Sequence, residues 1–129
     1  MITADDIADL ARNLVTQTAN EVRIRCGVSR AYYAAFHYCN SAANSFCNQL
    51  TDSEKEGRGE HSKLYLRLEK HCKDTSNDSN LKLIAAEAKK LRSLRLEADY
   101  NLNATVDQKS HIRSLSHMSQ VKNYLNLLK

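Results

Sequence analysis

A guanidinium, a phenol and an imidazole occur at Arg30, Tyr33 and His37, inside the run S-R-A-Y-Y-A-A-F-H-Y-C-N-S at 29–41. Their offsets place them, with Ala34 and Ser41, along one side of a helix. Arginine grips phosphate oxygens through a planar fork, and histidine carries protons near neutral pH. The opposite side, with Tyr32, Ala35, Phe36 and Cys39, reads as core. A second charged cluster lies at R-S-L-R-L-E-A-D-Y, 92–100. The apolar stripe of Ile84, Ala88 and Leu91 runs on into Arg95, and Asp99 follows one turn later. A charge on a buried stripe is costly unless it is paired or faces a cleft.

Each cluster has two readings. Arg95 and Asp99 either fasten the helix end as an ion pair, with Tyr100 as a third member, or form a phosphate-binding arginine with a carboxylate and phenol that orient it or join the chemistry. Arg30 and His37 either line the same cleft or serve structure. In the second case Arg30 bridges to Glu97 or Asp99, and His37 is a satisfied core histidine. His61 follows a glycine-containing loop and is either a cap or a ligand contact. His71, His111 and His117 have no supporting constellation, and Arg113 with His117 reads as a solvated face.

The elements that must position these residues are helical. The 129 residues include no proline and three glycines, suit one domain spanning 1–129, and show no sustained alternation of apolar residues. Thr3 caps a first helix with Asp5 and Asp6 in its opening turn. Its stripe is Ile7, Leu10, Ala11, Leu14 and Val15, and it fades near Thr18–Asn20. E-V-R-I-R-C-G at 21–27 fits a short strand, but better the opening of the central helix, with Gly27 as its one breaker. That helix runs to Phe46–Leu50. Thr51–Glu60 reads as a polar, mobile loop.

A third helix follows over His61–Cys72, with Leu64, Tyr65 and Leu68 inward. A fourth is capped by Ser79 or Asn80, with Leu81, Ile84, Ala85, Ala88 and Leu91 inward, and it ends in the turn Tyr100–Ala104. A fifth is opened by a Thr105/Gln108 capping box, with Leu115, Met118, Val121 or Lys122, Leu125 and Leu128 inward. The expectation is an all-α, antiparallel four- to five-helix bundle.

Composition narrows the partners. A net charge of +4 permits a polyanion but does not require one. The acidic N-terminus and the lack of a long apolar stretch argue against a signal peptide or membrane span and for a cytoplasmic protein. Cysteines 26, 39, 47 and 72 have neither C-x-x-C nor metal-ligand spacing and read as small buried side chains, so no metal is expected.

S-R-A-Y-Y-A-A-F-H, E-H-S-K at 60–63 and L-R-S-L-R-L-E-A-D-Y-N at 91–101 together resemble the HEPN family (higher eukaryotes and prokaryotes nucleotide-binding), in its small stand-alone bacterial branch. The resemblance covers roughly residues 8–128. It implies a helical bundle, commonly a homodimer, acting on RNA or nucleotides in toxin–antitoxin, phage-defence or stress systems without a cofactor. A nucleotidyltransferase-like protein is a frequent partner.

Active members are metal-independent endoribonucleases with an R-x4-6-H motif. Carried onto this chain, the arginine is Arg95, but the histidine's region holds Asp99 and Tyr100. The proton carrier would then be Asp99, Tyr100 or His37, with Arg30, Tyr33, Arg92 and His61 contacting RNA or nucleotide. The alternative implied is a non-catalytic module that binds or scaffolds a partner.

Overall fold

The computed structural model describes residues 1–15 and 20–129. Among them are six α-helices: α1 (Ala4–Asn13), α2 (Glu21–Phe46), α3 (Asp52–Lys55), α4 (Glu60–Lys70), α5 (Asp78–Tyr100) and α6 (Gln108–Asn126). A 3-10 turn, Thr75–Asn77, leads into α5, and no strand is present among the described residues. The chain is an all-α bundle.

The helix α2 is the axis. Its alanines Ala31, Ala34, Ala35, Ala42 and Ala43 are buried and let neighbours approach closely. It packs against α1, α4, α5 and α6. Side-chain pairs fix the directions. Ser29 meets Asp99 near the end of α5, while Cys47 beyond the far end of α2 pairs with Cys72 just before α5 begins, so α2 and α5 are antiparallel. Lys89 on Glu69 sets α4 antiparallel to α5, and Lys129 on Asn77 brings the end of α6 to the start of α5. The core joins Tyr32, Tyr38, Leu64, Leu68, Leu81, Ile84, Leu91, Met118 and Val121.

Several boundaries differ from the sequence reading. Thr3 does cap α1, in a reciprocal box with Asp6. The helix stops at Asn13, however, and its buried residues are Ala8 and Ala11 while Leu10 is exposed. Of the expected fading point, Thr18 lies outside the described residues, and Asn20 is the cap of α2. Residues 21–26 are helical, so the strand alternative falls.

Gly27 does not break the helix. A Cβ there would lie 2.8 Å from His111 Cδ2 and 3.0 Å from Val15 Cγ2, so the glycine serves a close approach. His111 itself is a core residue, with Nε2 2.8 Å from the Ala11 carbonyl.

Thr51–Glu60 is not featureless. Thr51 and Glu54 box the short α3, and Glu54 also holds His71 Nε2 at 2.6 Å. The loop turns at Gly57, whose φ of +73° suits glycine. The N-cap of α5 is Asn77, ahead of Ser79 and Asn80, and α6 is capped by Asp107, which accepts from the Ser110 N–H, in place of the Thr105/Gln108 box. His117 is no solvated residue, because its Nδ1 sits 2.5 Å from Glu87 Oε2.

Candidate functional site

Three helices bring polar groups to one region of the bundle. From α2 come Ser29, Tyr32 and Tyr33, from α4 His61 and Tyr65, and from α5 Arg92, Arg95, Asp99 and Tyr100. Parallel α2 and α4 place His61, at the start of α4, beside Tyr32. Antiparallel α5 returns its C-terminal half to the same level.

Arg95 is the centre. Its Nε lies 2.8 Å from Asp99 Oδ2, and the same oxygen accepts from Ser29 Oγ at 3.2 Å. The Arg95 N–H is nevertheless buried outside hydrogen-bonding geometry, so the contact is Coulombic only. The guanidinium carbon lies 5.3 Å from the Tyr100 ring centroid, 5.5 Å from Tyr32 and 6.0 Å from Tyr33. These faces stabilise the cation without consuming its N–H donors. Its hydrogen bond to the Tyr100 hydroxyl is long, at 3.5 Å.

Arg92, one turn earlier, has a buried Nε with no hydrogen-bond partner among the described residues. A buried donor left unmade destabilises the fold, and Arg92 has no ion pair among the described residues to offset it.

Behind the arginines runs a hydrogen-bonded line. Tyr65 and Tyr32 hydroxyls are 2.9 Å apart, and the Tyr32 hydroxyl contacts His61 Nδ1. Burial raises the pKa of both phenols, so they stay neutral. Burial also lowers the His61 pKa, and the Arg92 and Arg95 charges lower it further. The imidazole is thereby held neutral at pH 7. In the tautomer whose Nδ1–H donates to Tyr32, Nε2 is the ring nitrogen that carries the lone pair. Phe36 and Tyr32 rings, 5.1 and 5.5 Å away, support the imidazole.

Of the residues singled out by sequence, Arg95, Asp99, Tyr100, Tyr33, Arg92 and His61 gather here. Arg30 adjoins the cluster through Tyr33, lying 5.5 Å from that ring, and bridges to no carboxylate among the described residues. His37 does not join. It is exposed, touches Phe36, and lines a groove with Ile2, Thr3 and Ala4 on the α1 side. At four residues past Tyr33 its side chain has climbed a full turn away from Arg95.

Sequence reasoning missed Tyr32 and Tyr65, which carry the polar line from within the apolar face. The available signal was chemical, since a buried phenol must find a partner.

Comparison with known protein families, curated proteins and solved structures returns no match. The class rests on fold and site alone: an all-α bundle with an arginine set among tyrosine rings at the level where α2, α4 and α5 meet.

Proposed function

We propose that this chain is a HEPN-type protein that binds RNA or nucleotide phosphate in the cleft around Arg95. The observation carrying this reading is two guanidinium groups, Arg92 and Arg95, one turn apart on α5, with a single ion pair between them among the described residues, that of Arg95 with Asp99. Phosphate oxygens are the acceptors that suit a guanidinium fork. Exposed Tyr33 and Tyr100 beside them offer faces on which bases stack.

The same geometry supports metal-independent cleavage, with His61 in place of His37 as proton acceptor. His61 Nε2 takes the ribose 2′-hydroxyl proton, and the 2′-oxygen attacks the adjacent phosphorus. The bond to the 5′-oxygen breaks, leaving a 2′,3′-cyclic phosphate and a 5′-hydroxyl that takes its proton from water. Arg95 stabilises the charge developing on the phosphate. A second reading, a non-catalytic module binding nucleotide, RNA or a nucleotidyltransferase-like partner, often as a homodimer, is favoured by one observation: no histidine follows Arg95 on its helix, where Asp99 and Tyr100 stand instead.

The test is incubation of total RNA and tRNA with purified protein without metal, beside Arg95→Ala, His61→Ala and His37→Ala. The cleavage reading expects cyclic-phosphate ends, abolished in the first two variants and kept in the third. RNA binding without cleavage moves the assignment to the module. Abolition in His37→Ala with retention in His61→Ala overturns the proton-acceptor assignment.

A further inference from the structure

Beside the Arg95 cluster, α4 and α5 enclose a second cavity of about 400 Å³, with Arg92 on its wall. Arg58, Ser62, Tyr65, Lys89 and Ser93 also line it. Lys89 is paired with Glu69 at 2.9 and 3.0 Å. Arg58 spends Nε on the Glu54 carbonyl and one terminal nitrogen on Ser62 Oγ, and it meets no carboxylate among the described residues. Arg92 has no ion pair among those residues either, and its Nε lacks an acceptor. Three cations thus face one carboxylate, and two positive charges stand uncompensated beside the Ser62 hydroxyl, while the Ser93 hydroxyl donates to the Lys89 carbonyl. Such a mixture of guanidinium forks and small hydroxyls matches the oxygens of a phosphate.

We propose that this cavity is a second phosphate subsite, holding the phosphate next along a single RNA strand from the one at Arg95. The inference rests on the function proposed above. Arg92 and Arg95 are neighbours on the α5 surface at i and i+3, so one strand can meet both. The short α3 and the loop after it, tied to α4 through Glu54 and His71, carry Arg58 to the cavity rim. The site therefore reads consecutive phosphates on an extended strand and carries no base code in this part.

The experiment is fluorescence anisotropy of a labelled ten-nucleotide single-stranded RNA across a salt series, with the parent, Arg58→Ala, Arg92→Gln and Arg95→Ala. Removing one arginine–phosphate interaction lowers the slope of log affinity against log salt by about 0.7 for a single strand. The expected result is a slope reduced by about that amount in Arg58→Ala and in Arg92→Gln, with affinity down about tenfold.

Arg58 is exposed, so its variant keeps the fold. If the parent and both variants share one slope while Arg95→Ala no longer binds, the subsite is overturned and the cleft stands. If the parent binds no RNA, phosphorus-31 titration with inorganic phosphate decides. Phosphate binding that disappears in Arg92→Gln keeps the subsite and removes the RNA reading, and no phosphate binding removes both.

A different observation concerns Cys47 and Cys72. Asn48 N–H donates to the His71 carbonyl at 2.7 Å and Lys73 N–H to the Phe46 carbonyl at 2.9 Å. These bonds bracket the two cysteines as a non-hydrogen-bonded antiparallel pair. Such pairs hold Cα atoms about 4.5 Å apart, inside the disulfide range of about 4.4–6.8 Å. We infer that a small-molecule disulfide oxidises this pair. The half-buried Cys72 thiol, which donates to Asp78 Oδ1 at 3.6 Å, loses its proton, attacks glutathione disulfide and releases one glutathione thiolate. Cys47 then attacks the mixed disulfide and releases the second, with both thiol protons going to solvent.

Mass spectrometry of the folded protein after glutathione disulfide treatment is expected to show loss of two hydrogens and a Cys47–Cys72 linked peptide, absent in Cys72→Ser. Persistent glutathione adducts without that peptide, or no change, would overturn it.

Discussion

Two pairs of arginines in this bundle do opposite things. Arg25 and Arg67 are spent on backbone. Arg25 donates to the carbonyls of Glu97, Ala98, Asn101 and Ala104 around the end of α5, and it pairs with Glu21. Arg67 donates to Ala43, Cys47 and Asn48 carbonyls at the end of α2, and to Asn44 Oδ1. Each satisfies the carbonyls a helix end leaves orphaned and sits at the negative pole of the helix dipole. On a helix whose end Arg25 closes, Arg92 has no ion pair among the described residues and its Nε no hydrogen bond, and Arg95 has one carboxylate, Asp99, and a long bond to the Tyr100 hydroxyl. Exposure does not separate the pairs, since all four are partly buried; partner saturation does.

The comparison breaks first at Arg25. Arg25→Ala strands several carbonyls at once and is expected to lower stability by about 3 kcal/mol, read as a shift of the urea midpoint. A change as small as that of a surface substitution would end its assignment as a clamp. Gly27→Ala drives a methyl into His111 and is expected to destabilise by about 1–3 kcal/mol, with RNA binding per folded molecule unchanged. Arg95→Ala sharpens the contrast from the other side. Its stability is expected to fall by about 1 kcal/mol or less, while RNA affinity falls about tenfold or more. Destabilisation matching that of Arg25→Ala would make Arg95 structural.

A pH series tests His61. The lowered pKa means the neutral base survives into more acidic solution than an ordinary histidine would. Cleavage should therefore rise with pH and reach its plateau below the usual histidine range. A His61→Gln protein that retains the same profile would assign the titration elsewhere. The smallest effect is expected from Tyr100→Phe, whose hydroxyl makes one long bond from an exposed ring. Its stability should stay within about 0.5 kcal/mol of the parent, because the ring face that meets Arg95 is kept.

Much of the architecture is legible in the sequence because helices announce their buried face at a fixed period. Leu81, Ile84, Ala85, Ala88 and Leu91 are all buried in α5 as their spacing requires. The arginine continuing that stripe is the anomaly the pattern exposes, and it sits at the centre of the cleft. The differences are local. Asn77 and Asp107 cap α5 and α6, in place of the caps expected at Ser79 or Asn80 and at Thr105. Several adjacent polar residues compete for each helix end, and packing chooses among them. His37 shares a helix face with Arg30 and Tyr33 by spacing, but it stands a turn away from the part of α2 that meets Arg95.

The sequence by itself determined the all-helical class, the faces of the long helices and the identity of Arg92, Arg95, Asp99 and Tyr100 as residues needing an explanation, because periodicity and charge are local properties of the chain. Only the tertiary structure decided that His61 and not His37 stands with the arginines, that Tyr32 and Tyr65 link into its line, and that Arg25 is a clamp. Those outcomes depend on which helix lies beside which and in what direction, and the contacts join residues about 30 to 80 positions apart, a separation no repeat in the chain encodes.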